Sequence, residues 1–197
     1  MIVEVVDPLT LEDVHGVERC ARAAARWNRV RSWDNPLHCF VQDWDRFCTL
    51  MGDRQGTSTP KGTVGYHWRR HGVDGIWVKV NYGSRVEQLK TAGHEWAHAL
   101  MSFGTGHAVS WRRTYVLTRV AMMSLFPETT YSDEGIRRLV QRYTQPRNTG
   151  WTYTRDDDIV AWDAESWSEY LLRCENEVTR LCTAVDQFRT WLETAEW

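Results

Sequence analysis

The sequence predicts an α+β fold, because short segments with the period of a strand lie among longer segments with the period of a helix. Two runs, at 64–68 and 76–81, alternate apolar and polar residues as a half-buried strand does. Apolar residues at helical spacing occupy most of the chain before and after these runs. The 197 residues fit one domain over 1–150, followed by a long helix over 151–197.

Two helices are expected before the strands. The first runs from the Thr10 cap over about 10–31, and the second covers about 35–51 and ends at Gly52. The two strand runs then form a hairpin through a glycine-bounded turn at 72–75. The first part of the fold is therefore expected to be two helices followed by a small sheet.

The most specific feature of the chain is an HExxH motif made of His94, Glu95, Trp96, Ala97 and His98. Residues four apart on a helix point the same way, so the two imidazoles can bind one tetrahedral zinc ion. Glu95 lies close enough to polarise a water held on that metal and to act as its general base. The motif therefore indicates a hydrolytic zinc site.

The motif lies within a helix whose limits the sequence also predicts. Ser84 followed by Glu87 has the pattern of a capping box, so the helix should begin near Arg85. Gly104 is suited to end the helix on the far side. The motif then lies inside the helix, where its spacing determines the direction of its side chains.

A zinc site that keeps one position open for water needs a third protein ligand. The sequence favours His107, which follows the turn at 104–106 and lies at the expected start of another helix. A chain reversal in that turn lets the first turn of the second helix face the motif. Glu128 and Asp133 are the alternatives, because carboxylate oxygens also bind zinc.

The run Gly93–Leu100, with the short turn and His107–Trp111 after it, resembles the SprT-like zincins and the small metallopeptidases that actinobacterial phages encode. The resemblance implies a zincin-like minimal metallopeptidase fold, in which a small antiparallel or mixed sheet accompanies the HExxH helix. The chain departs from those families at Ala108, where they usually have Gly. It also lacks the zinc-ribbon cysteines and the basic charge of DNA-associated members, which argues against a role in DNA repair.

These features together predict a zinc-dependent metallopeptidase. His94, His98 and His107 bind Zn²⁺, and Glu95 activates the metal-bound water that attacks a peptide bond. The resemblance further implies that the strand at 76–81, if it edges the sheet, holds an extended protein or peptide substrate by β-addition.

Two other classes of function stay open. A zinc hydrolase of a non-peptide amide has the same metal ligands. A regulatory or binding protein would keep the zinc as a structural clasp and act through its C-terminal helix, although such a site has no use for Glu95.

The group that stabilises the transition state has several candidates. Arg112, Arg113 and Tyr115 lie on the helix after the turn, while His67 and His71 belong to the first strand run and its turn. A surface position is the more common role for such histidines, and a buried core position is equally compatible with the tyrosine.

Composition limits the partners and the compartment. A formal net charge of −2 argues against a dedicated nucleic-acid binder. The chain has no apolar run of membrane-spanning length and no signal-peptide pattern, so a cytoplasmic location is expected, in the host if a phage encodes it. The cysteines form no CxxC pair and are expected to be thiols; they are Cys20, Cys39, Cys48, Cys174 and Cys182.

The C-terminal segment spaces its apolar residues alternately four and three apart from Trp167 to Ala195. We expect this stripe to pack on the catalytic domain, because its mixture of Trp, Cys, Phe and Val is unlike a regular dimer seam. Self-association or partner binding through an exposed seam is the alternative.

Overall fold

The computed structural model describes residues 2–4, 9–29, 37–52, 62–70, 73–79, 82–101, 109–144 and 164–197. They form an α+β fold, as predicted from the sequence. The elements in chain order are β1 (Ile2–Glu4), α1 (Leu11–Trp27), β2 (Leu37–Val41), α2 (Trp44–Leu50), β3 (Gly65–Arg70), β4 (Val73–Val78), α3 (Arg85–Ala99), α4 (Val109–Leu125), a 3₁₀ turn (Pro127–Thr129), α5 (Asp133–Thr144) and α6 (Ala164–Thr194).

The strands form one mixed sheet in the order β1-β2-β4-β3. The pairs β1–β2 and β2–β4 are parallel, whereas β3 and β4 form the antiparallel hairpin that the sequence predicts. Because β4 lies between β2 and β3, the strand at 76–81 does not edge the sheet, so the condition for β-addition of a substrate along it is not met. In the described part of the chain, β3 is the edge strand on this side.

The prediction of one helix over 35–51 is also wrong. The first half of that segment is β2, and only Trp44–Leu50 is helical, with the Asp43 carboxylate accepting a hydrogen bond of 2.7 Å from the Arg46 amide. The strand is buried on both faces between parallel neighbours, so its apolar run carries no alternation that would distinguish it from a helix.

The prediction of a turn at 72–75 is wrong for residues 73–75, which belong to β4, while Gly72 lies outside the described residues. A side-chain carbon at this position would lie 2.3 Å from the Met51 sulfur and 2.9 Å from the Phe47 ring. Gly75 therefore allows α2 to pack closely on the sheet rather than making a turn.

The helix ends agree more closely with the sequence. Thr10 and Asp13 form a reciprocal capping box at the start of α1, with hydrogen bonds of 3.1 and 2.8 Å, although α1 ends at Trp27 rather than near residue 31. Ser84 caps α3, which begins at Arg85 as predicted. Asp13 also accepts a hydrogen bond of 2.5 Å from Arg85, which joins the first turns of α1 and α3.

The sheet separates two apolar cores. One side packs against α2, and its buried residues are Cys39, Val41, Phe47, Cys48, Met51 and Trp77. The other side packs against α3 and the remaining helices, and its largest buried members include Phe40, Ile76, Leu89, Trp96, Met122 and Phe188. The cysteines with described side chains, Cys20, Cys39, Cys48 and Cys182, carry thiols rather than disulfides.

The apolar stripe of α6 contributes to the larger core. Leu181, Val185 and Phe188 are buried in it, and the Phe188 ring lies 5.8 Å from the Trp27 ring of α1. The side chains of Trp167, Leu171 and Cys174 lie outside the described part of the chain. The described C-terminal part of the stripe thus packs against the rest of the domain.

We expect the buried stripe to stabilise the fold. Leu181→Ala should lower the free energy of unfolding by about 2–5 kcal/mol, because it opens a cavity in the core. Leu172→Ala is the matched control on the same helix, since Leu172 is 58% exposed and Leu181 only 2%. Urea denaturation measures both, and equal losses would contradict the packing of α6 on the domain.

Candidate metal centre

The two motif histidines point to the same side of α3. The centroids of the His94 and His98 rings are 5.0 Å apart, and the ring planes are inclined at 65°. Two imidazoles that share one tetrahedral zinc, with zinc–nitrogen distances of about 2.0–2.1 Å, have centroids about 5 Å apart. The spacing of the two rings therefore fits a shared metal ion before any rearrangement.

The predicted third ligand, His107, and the candidate donor His71 lie outside the described residues. Within the described ranges, no group of three His, Cys, Asp or Glu side chains is close enough to hold a metal. The alternative ligand Glu128 pairs with Arg85, about 13 Å before His94 along α3. Asp133 is 92% exposed and pairs with Arg189 of α6 at 3.1 Å.

Glu95 is buried beneath the edge strand. A side-chain carbon on Gly65 of β3 would lie 2.6 Å from Oε1 of Glu95 and 2.5 Å from the Thr91 methyl group. The bare backbone of β3 therefore crosses directly over this carboxyl group. Desolvation by burial raises the pKa of Glu95 to about 8, close to the neutral pH at which a general base is most effective.

An aromatic wall from α4 and α5 covers the other side of the histidines. The centroid of the Trp111 ring lies 4.6 Å from those of both His94 and His98, and the Tyr115 ring lies 5.3 Å from that of His94. Tyr143 of α5 packs on Tyr115 at 5.0 Å. These rings restrict the imidazole orientations and keep water from that side of the site.

Two of the candidate transition-state donors on α4 have other partners. Arg113 donates two hydrogen bonds of 2.6 Å to Glu177 of α6, which also raise the pKa of this arginine. The hydroxyl of Tyr115 is buried, which raises its pKa, and it accepts a hydrogen bond of 3.2 Å from Arg119. Arg112 is half-buried on the same helix.

His67 lies on the face of β3 that packs against α3. Its ring is parallel to that of His98, with the centroids 6.3 Å apart. Its Nε2 is 3.0 Å from Oδ1 of Asp74, a fully buried residue of β4. Arg69 donates hydrogen bonds of 2.6 and 3.3 Å to the same carboxylate, so the acid is shared between two side chains of β3.

Asp74 is ionised despite its burial. Desolvation acts to raise its pKa, but the hydrogen bonds from His67 and Arg69, with their charges, outweigh it and hold the pKa below the ordinary value. Arg69 also donates to the backbone oxygens of Ala99 at 2.7 Å and Met101 at 3.3 Å. The charged cluster therefore joins the hairpin to the end of α3.

The sequence prediction missed Gly65, Arg69 and Asp74. The one available signal was Asp74 itself, because a carboxylate inside an otherwise apolar strand requires a buried partner. Its partners Arg69 and His67, five and seven residues earlier, could not be identified without the strand register, which places Arg69 opposite Asp74.

Comparisons of the chain with protein-family models, with curated proteins and with solved structures give no match. Among the described helices, none is both long enough and apolar enough to cross a membrane.

The raised pKa of Glu95 predicts a pH dependence of stability in the metal-free protein. Between the ordinary value of 4.5 and about 8, the folded chain binds more protons at Glu95 than the unfolded chain. The contribution of Glu95 to stability is thus fully present below 4.5 and is lost as the pH rises towards 8.

Glu95→Gln removes this titration and is the control. In calorimetry of the chelator-treated proteins, the Tm of the wild type should fall relative to that of the variant from about pH 5 to about pH 8. A Tm difference that stays constant over this interval would contradict the buried, uncompensated carboxyl group.

Proposed function

We propose that the protein is a zinc-dependent metallopeptidase with a zincin-like fold. The observation that carries the proposal is the arrangement on α3, where two imidazoles at metal-sharing distance adjoin a buried carboxyl group. The mixed sheet, with an antiparallel edge strand lying across this helix, is compatible with the zincin-like fold that the resemblance implies.

The residues fit Zn²⁺ as the resident metal. Imidazole nitrogens are suitable zinc ligands, and the ring spacing of His94 and His98 matches a tetrahedral ion. His107 is the proposed third ligand, because it follows the motif helix in the sequence after the short glycine-containing segment 104–106. When bound, zinc supplies a Lewis acid that polarises the attacking water and the scissile carbonyl.

Glu95 is the proposed proton carrier. It takes a proton from the attacking water and passes it to the nitrogen of the leaving amine. Burial raises the pKa of Glu95 to about 8 in the metal-free protein, which strengthens its affinity for the proton that it takes from the water. Burial under β3 also excludes competing water from its neighbourhood.

The outer edge of β3 is the proposed substrate strand, in place of the strand at 76–81. An extended peptide that pairs with this edge would lie about 4.7–4.9 Å to the side of β3, whose own backbone covers Glu95 at Gly65, and would run past His67 towards the motif histidines. Such an edge favours a protein or peptide substrate over a small non-peptide amide.

The regulatory alternative has less support. The described stripe of α6 is buried in the core at Leu181, Val185 and Phe188, so it offers no seam for a partner. A structural zinc clasp also gives no reason to bury an uncompensated Glu95 beside its ligands.

The first test separates metal binding from proton transfer. The protein purified without chelator should carry about one zinc ion per chain, and His94→Ala should lose it. Glu95→Gln should keep the zinc while casein hydrolysis falls about 100- to 10,000-fold, because only the proton carrier is removed. A fully active Glu95→Gln variant, or a wild type without zinc, would contradict the proposal.

The second test identifies the third ligand. His107→Ala should weaken zinc binding as much as His94→Ala does, measured by competition with a chromogenic chelator. Glu128→Ala and Asp133→Ala are matched carboxylate controls that should leave the zinc affinity unchanged, since both side chains pair with arginines elsewhere. The reverse pattern would assign the third position to a carboxylate.

A further inference from the structure

We propose that His67 is a catalytic residue that donates a hydrogen bond from Nδ1 to the carbonyl oxygen of the scissile bond as negative charge develops on it. Asp74 is the positioning residue behind it. This inference rests on the proposed peptidase function and deepens it, because it names the group on the substrate strand that acts on the reacting carbonyl.

The distance between His67 and His98 distinguishes His67 from a further zinc ligand. The His67 and His98 centroids are 6.3 Å apart, whereas two imidazoles on one tetrahedral zinc are separated by about 5 Å. The ring of His67 is therefore about 1 Å too far from that of His98 for both to bind one zinc ion at the tetrahedral angle. It is near enough to contact a molecule that is bound between the histidines and β3.

His67 follows Gly65 along the edge strand β3 and lies on the same face of it. Side chains two residues apart in a strand share a face and lie about 6.5–7 Å apart. Gly65 lies against the Glu95 carboxyl group, so His67 is the next side chain on the face that looks towards α3. A peptide running along β3 would thus pass Gly65 and then the imidazole.

The two ring nitrogens of His67 differ in their hydrogen bonding. Asp74 accepts the hydrogen on Nε2, and among the described residues Nδ1 has no hydrogen-bond partner. The His67 side chain is 17% exposed, so it is not sealed within the core. Because Asp74 is paired with Nε2, Nδ1 is the ring nitrogen that remains for the substrate.

Arg69 limits the movement of His67 and Asp74 relative to α3. Arg69 holds the Asp74 carboxylate and, at the same time, the backbone oxygens of Ala99 and Met101. The pair His67–Asp74 is therefore fixed relative to the helix that carries the zinc ligands. Donors that are oriented before the reaction stabilise developing charge without further reorganisation.

The test compares His67→Ala and His67→Gln with the wild type. His67→Ala should keep the zinc and its affinity, leave KM for casein within about twofold, and lower kcat about 100-fold, because the lost hydrogen bond forms only in the transition state. His67→Gln should restore part of kcat, since its amide donates a hydrogen bond. His15→Ala is the matched control, because His15 is 52% exposed on α1.

A binding measurement complements the kinetics. A peptide phosphonamidate carries a tetrahedral anion, so its affinity in calorimetry should fall about 10- to 100-fold in His67→Ala. Loss of zinc from His67→Ala would make the residue a metal ligand and overturn the inference, as would an unchanged kcat. If the wild type neither holds zinc nor cleaves casein, the proposed function fails as well; an active, zinc-loaded wild type alongside a fully active His67→Ala overturns this inference alone.

Discussion

The contact between α3 and the β3–β4 hairpin is the constraint on which the candidate site depends. Asp74 is fully buried and costs several kcal/mol unless it is paired, and its partners are Arg69 and His67 on the neighbouring strand. Arg69 also donates hydrogen bonds to the backbone oxygens of Ala99, the last residue of α3, and of Met101 just beyond it. The same arginine thus joins the charged cluster of the hairpin to the end of the motif helix.

The two sides of the candidate site differ chemically: one is aromatic and the other is polar. The rings of Trp111 and Tyr115 restrict the imidazoles from α4, while β3 provides a polar face with His67. Glu95 lies under the strand where Gly65 leaves room for it. An apolar wall opposite a charged strand is an arrangement that orients ligands on one side and admits a polar substrate on the other.

The sequence predicted the parts of this arrangement that depend on local signals. The Ser84 cap and the spacing of the motif fix the start of α3 and the common direction of its histidines. Strand order is not a local property, so the sequence could not reveal that β2 inserts beside β4 and leaves β3 at the edge. For the same reason the sequence shows Asp74 only as a charged residue in an apolar strand and does not identify its partners on β3.

The central claim is that α3 carries an open zinc site with imidazole ligands. X-ray absorption at the zinc edge of the protein purified without chelator tests this claim most directly. We expect about three imidazole nitrogens at about 2.0–2.1 Å and one lighter oxygen ligand that exchanges with solvent. A closed site of four protein ligands, a site with thiolate sulfur at about 2.3 Å, or a protein that binds no zinc would contradict it.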